Sequence, residues 1–95
     1  MRRGSKVDVT QPGIVKALRD ASVTVQHLHA VGSGCPDILC GFRGANWLLE
    51  IKPNIGSPSD KNLRPAQVEW HGGWKGQVAV VSTPEQALSI IGLTP

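Results

Sequence analysis

"GCPDILCGFRGANWLLEIKP", residues 34–53, is the stretch on which the fold turns. "PDILCGF" and "NWLLEIK" read as two strands joined through the turn "RGAN". Centring that turn between Gly44 and Ala45 sets Arg43 against Asn46 and Asp37 against Lys52. Side chains two apart on a strand share a face, and so do directly opposed ones. Asp37, Glu50 and Lys52 therefore converge on one patch, while Ile38, Cys40, Trp47, Leu49 and Ile51 line the other face for a helix to bury. A slip of one residue would expose the apolar set, so burial should hold the register.

Nothing in the packing requires those three polar groups. Two carboxylates on one face, across the diagonal of a hairpin, are within reach of a single divalent cation, and like charges that close repel unless a cation or proton intervenes. The alternative is a cross-strand ion pair of Lys52 with Asp37 or Glu50 on a solvated face. Geometry alone leaves both open.

Before the hairpin, Ile14, Val15, Leu18 and Ala21 fall at helical spacing, which predicts a helix over about 11–21 with Thr10 as its N-cap and Pro12 in its first turn. "SVTVQHLHAV", residues 22–31, is rich in β-branched residues and reads as a strand ending at the turn-prone Gly32-Ser33-Gly34. After the hairpin, residues 53–64 form the one long polar stretch, and loops of that length are more often functional than idle. "PAQVEWHGGWKG" from Pro65 fits a helix weakened by Gly72 and Gly73, with Leu63, Gln67, Trp70 and Trp74 on one side. "QVAVVS" is a fourth strand, reached through that helix and free to run either way. Thr83, Pro84, Glu85, Gln86 and Gly92 mark the start and stop of a last helix, "PEQALSIIG".

The chain's 95 residues suit one domain, 1–95, with a single core. A net charge of +3 mildly favours a polyanionic partner. Part of it lies in Arg2, Arg3 and Lys6, which serve equally as a solvated terminus or a phosphate-gripping arm. Cys35 and Cys40 lack the second pair that a zinc site needs, so reduced, partly buried thiols are expected. The opening "MRRGSKVDVTQPG" lacks the apolar run of a signal peptide, and no segment approaches the roughly 18–20 apolar residues of a membrane span. A cytoplasmic protein is expected.

Pro36-Asp37 followed by Glu50-Ile51-Lys52 resembles the PD-(D/E)XK signature of the nuclease superfamily. More closely, "VGSGCPDILCGF", "LLEIKP" and "RPAQVEWHGGWKGQVAVV" resemble the small stand-alone VRR-NUC-type nucleases of phage and bacterial genomes. The likeness covers most of the chain. It implies an α+β, restriction-endonuclease-like αβββαβ core with a central mixed four-stranded sheet flanked by helices. It also implies a nuclease dependent on Mg²⁺ or Mn²⁺, in which Asp37, Glu50 and the Ile51 carbonyl bind the metal. Lys52 would orient or help deprotonate the attacking water, or stabilise the transition state, and Gln67 matches the helix glutamine near the catalytic group. A homodimer acting on branched DNA such as Holliday junctions follows from the same resemblance. The chain departs from the pattern on its first helix, where many relatives carry an acid: Gln11 stands in that region, with Asp8 before it and Asp20 at the far end.

Arg43, Lys61 and Arg64, each on a turn or at a loop edge, are candidate phosphate contacts. His71, one helical turn after Gln67, is a further candidate. His27 and His29 read as structural, and Trp70 and Trp74 as core residues able in principle to stack on unpaired bases. The competing class is a nucleic-acid-binding module that keeps the fold without a working metal shell.

Overall fold

A computed structural model of the chain describes residues 10–53 and 62–93. The expected order of helix, three strands, helix, strand, helix is the order observed: α1 (Thr10–Asp20), β1 (Thr24–His27), β2 (Ile38–Phe42), β3 (Ala45–Ile51), α2 (Pro65–Gly73), β4 (Val78–Val81) and α3 (Pro84–Ile91). The four strands form one sheet in the order β1-β2-β3-β4. The first three pair antiparallel and β4 lies parallel to β3, so the sheet is mixed.

The central hairpin is tighter than "RGAN" suggests. Phe42 pairs with Ala45, and only Arg43 and Gly44 make the turn, with φ of 51° and 80°. Two-residue turns with both central residues left-handed match the twist of the flanking strands, which the mirror-image turn would splay. The register is Ile38↔Leu49 and Cys40↔Trp47, two residues away from the expected pairing. Continued by one residue, it sets Asp37 beside Glu50 and moves Lys52 to the diagonal, reversing the expected roles of the two. A shift of two leaves every side chain on its expected face, because the strand period is two.

One face of the sheet carries the core. Ile38, Cys40, Leu49, Ile51 and Val81 pack with Ile14, Val15 and Leu18 of α1 and with Ala87 and Ile91 of α3. The first and last helices therefore cover the same side, and α2 stands over the other.

Local signals explain where the helices end. The Val23 amide donates to Leu18 O and the Ser22 amide to Arg19 O, with Ser22 at φ 70°. This six-to-one closure stops α1 with Val23 buried beside Leu18, a serine taking the left-handed position usually given to glycine. It also shortens the first strand: of the expected 22–31, only Thr24–His27 pairs with β2, and Val31 N instead closes a turn on Leu28 O. On α3 the expected caps are in place. Thr83 Oγ1 accepts from Gln86 N, Pro84 opens the helix, and Gly92 ends it at φ 98°.

Leu49 has no exposed surface and Val80, on β4, is 43% exposed. Leu49→Ala should lower stability by about 2–5 kcal/mol in urea unfolding, whereas Val80→Ser should stay within about 0.5 kcal/mol.

Candidate active site

Asp37 sits where the β2–β3 ladder loses its regularity. Strict continuation would bring Pro36, which has no amide hydrogen, opposite Ile51. Instead the Asp37 amide donates to Leu49 O at 3.1 Å, one residue out of register, and the Ile51 amide donates to Asp37 Oδ2 at 2.6 Å. An irregular step of this kind re-aims a side chain, here turning a carboxylate onto the neighbouring strand. The N–H and C=O of an extended residue leave the strand on the same edge, so the Ile51 carbonyl also faces the Asp37 side. The Lys52 amide points the other way, to Val81 O at 3.0 Å.

Glu50 is only 2% exposed, buried between the sheet and α2. Gln67 Nε2 donates to Glu50 Oε2 at 3.2 Å, while Gln67 Oε1 accepts from the Arg64 amide at 2.8 Å. Both ends of the glutamine amide are thereby fixed, one on the first turn of α2 and the other on the acid. His71, one turn further on, brings Nε2 to 3.7 Å from Glu50 Oε1, too far for a hydrogen bond, and neither atom has another partner among the described residues.

Gly34 sets how closely α2 approaches. Its φ is +84°, and a Cβ there would lie 2.3 Å from Ala66 O on the first turn of α2. The glycine-rich approach to Asp37 is thus the surface against which the helix bearing Gln67 rests.

The electrostatics follow from that closeness. Burial, then a hydrogen bond with Asp37 and the Asp37 charge, push Glu50 up to about 8 from an ordinary 4.5, against the opposing charges of Lys52 and Arg64. Burial, then the Lys52 charge, lower His71 and keep its ring neutral near pH 7. Burial and the two acids raise the Cys35 thiol, and burial raises Cys40 to about 11, so both cysteines stay protonated, as expected of reduced thiols. Lys52 is itself buried, yet among the described residues no carboxylate lies within ion-pair distance of it. The expected alternative, a cross-strand ion pair on a solvated face, is not what the hairpin forms.

Asp37, Glu50, Ile51, Lys52, Gln67, Arg64 and His71 are therefore gathered at one end of the hairpin, with Cys35, which the sequence did not single out, at its margin. The helical spacing of Gln67 and His71 signalled that they share a face, but not that His71 would come close to Glu50. Arg43 is not among them: it caps the opposite end of β2, about 20 Å from Asp37 at the usual strand rise, with its guanidinium 4.9 Å from the Phe42 ring. Gln11 hydrogen-bonds His27 Nδ1 at 3.3 Å on the edge strand, and His27 and His29 stand exposed with rings 5.9 Å apart. Trp70 and Trp74 stay out of the core and stack on each other. Lys61, Asp8, Arg2, Arg3 and Lys6 lie outside the described residues, as does most of the polar stretch 53–64.

Two opposed carboxylates, one with a buried oxygen that no hydrogen-bond donor among the described residues meets, and a backbone carbonyl are donors that could hold a hard divalent cation. Among the described residues no group of three or more His, Cys, Asp and Glu side chains is arranged to hold a metal. Mg²⁺ does not need one, since it commonly takes one or two carboxylates and keeps several waters.

No family model matches the sequence, and no curated protein matches it. Among solved structures, one described as a "VRR_NUC domain" aligns with a TM-score of 0.65 and 25% identity, over 86% of this chain and 89% of that one. The chain has a VRR-NUC-like, PD-(D/E)XK-type nuclease fold.

Gly34→Ala should destabilise the protein more than Gly44→Ala, which has a similar φ of +80° but open space around it. Strain alone costs about 1–3 kcal/mol; equal losses at the two sites in urea unfolding would contradict close packing of α2 on residue 34.

The pH dependence of the metal-free protein has a defined sign. Glu50, raised on folding, favours the native state below pH 4.5, and that contribution is lost as pH rises through about 8. His71, lowered on folding, acts oppositely, but only as pH falls below 6.5. Between pH 6.5 and 8 the melting temperature in EDTA should therefore fall with rising pH, and Glu50→Gln should flatten the slope.

Proposed function

We propose that this VRR-NUC-like domain is a divalent-metal-dependent nuclease that hydrolyses DNA phosphodiesters. The observation that carries the reading is a buried acid, Glu50, set against a second acid, Asp37, beside a lysine that neither neutralises as an ion pair. Left alone, that arrangement costs stability, and a cation shared by Asp37, Glu50 and the Ile51 carbonyl would relieve it. Bound Mg²⁺ or Mn²⁺ would lower the pKa of a coordinated water and offset charge building on the phosphoryl oxygens.

The protein's own groups have distinct tasks. Asp37 is oriented by the Ile51 amide and Glu50 by Gln67, so neither carboxylate has to be ordered when substrate arrives. Gln67 is in this sense a positioning residue. Lys52 would orient or help deprotonate the water, or meet developing negative charge as a fixed cation. Arg64, exposed at the start of α2 and felt by Glu50, would serve as a phosphate contact beside the acids.

One site cuts one strand, so cleavage of both strands of a branched DNA such as a Holliday junction calls for two copies. A homodimer acting on such junctions is part of the proposal. A second reading, a DNA-binding module without catalysis, draws on Gln11, which stands where an acid of the first helix would and is engaged by His27.

Purified protein incubated with four-way junction, flap, duplex and single-stranded DNA in Mg²⁺ or Mn²⁺ should cut at least one of them. Asp37→Asn, Glu50→Gln and Lys52→Ala should each lower the rate by about a hundredfold or more. Calorimetric titration with Mn²⁺ should show uptake that the two acid variants abolish. A folded protein that takes up no metal and cuts none of the four would leave the binding module as the better account.

A further inference from the structure

Tryptophan is costly to leave in water, yet Trp74 is 45% exposed. It is nevertheless held in place. One ring face stacks on Trp70, with centroids 4.7 Å apart and planes 18° from parallel. Its edge abuts Gly76, where a Cβ would lie 2.9 Å from the indole Nε1. The Trp74 amide donates to His71 O and closes α2. With one face stacked on Trp70, the ring still leaves surface open to solvent.

That ring continues the line of the site. Gln67 and His71 fall at i and i+4 on one stripe of α2, and Trp74 is the extended C-cap residue that follows the helix, seven positions and about 10 Å of helical rise from the glutamine that holds Glu50. Exposed Arg64 and Lys75 bracket the stripe with positive charge.

The size of the patch decides what fits it. A stable protein interface needs about 800 Å² from each partner, and a whole tryptophan supplies about 250 Å² at most. Val68, the other exposed apolar residue of α2, is six positions before Trp74 and on another flank of the helix. The surface is one ring wide, which matches a nucleobase and falls short of a second copy of the chain.

We propose that Trp74, backed by Trp70, is a stacking platform for an unpaired base on the DNA strand entering the Asp37–Glu50 site. The inference rests on the nucleic-acid part of the function proposed above and not on its junction part: it favours branched DNA that carries unpaired nucleotides over a fully paired four-way junction, since paired bases in a duplex have their faces covered by their neighbours. An exposed aromatic face takes any base, so the platform would be indifferent to sequence.

The test is binding in EDTA, where cleavage plays no part, using fluorescein-labelled single strands with and without abasic sites and a duplex of equal length. Trp74→Ala should weaken single-strand binding by about 5- to 100-fold and leave duplex binding unchanged, with Trp74→Phe retaining most of the affinity. The wild type should discriminate against the abasic strand and Trp74→Ala should not. Unchanged single-strand affinity, equal losses on single strand and duplex, or a dimer-to-monomer change in sedimentation would each overturn the proposal. A wild type that binds with this base dependence but cuts nothing in Mg²⁺ or Mn²⁺ would remove the nuclease reading and leave the platform standing.

Discussion

The two-residue turn at Arg43 and Gly44 fixes which residues of β2 and β3 meet, and everything at the far end of the hairpin depends on it. A four-residue turn over Arg43–Asn46, closed by Phe42 against Trp47, would set Asp37 against Lys52, a cation and an anion that cancel. The tight turn sets acid against acid and leaves the lysine beside them. The cost is thus carried by Glu50, whose pKa of about 8 leaves it protonated near pH 7, and what sustains it is the opposite face of the same strands. Burying Ile38, Leu49 and their neighbours contributes about 1.5–3 kcal/mol for each large side chain, and several such residues outweigh a carboxyl group whose displaced pKa represents a few kcal/mol.

The sheet accordingly divides its work by face. On one side α1 and α3 close over an apolar cluster in which, among the described residues, a protonated thiol is the one titratable group. On the other, α2 brings a glutamine and a histidine to a buried acid and covers the core less completely, since none of its own residues is fully buried. α2 is held by particular contacts, the close approach of Gly34 and the two-ended Gln67 amide, more than by area. A helix attached in this way can be specific in position without being the main source of stability.

Much of this was legible in the sequence, for identifiable reasons. Alternation assigned the faces of Ile38, Cys40, Leu49 and Ile51 because the strand period tolerates an even error in register. Thr83, Pro84 and Gly92 announced α3 because capping is local chemistry. What the sequence did not reveal depends on spatial relations that alternation and capping leave open. "RGAN" does not state whether two or four residues turn. The β-branched run 22–31 does not show that Ser22 closes α1 or that Leu28 begins a turn. Scarcity of aromatics suggested that Trp70 and Trp74 belong in the core, yet nine residues of α2 offer too little apolar surface to carry them there. At the site, Asp37, Glu50, Lys52 and Gln67 were readable from order and type. The engagement of His71 with Glu50 and the remoteness of Arg43 needed three dimensions.

The parallel pairing of β3 with β4 bears on how the chain assembles. The β2–β3 hairpin closes over two residues and can form from local encounters, whereas β4 must wait for residues 52–77 to return along the sheet. α2 lies within that return. The local hairpin should therefore form before the crossover brings α2 over Glu50, so that the dehydration of Glu50 is expected on the late side of the folding barrier, where it would speed unfolding without delaying the first encounters.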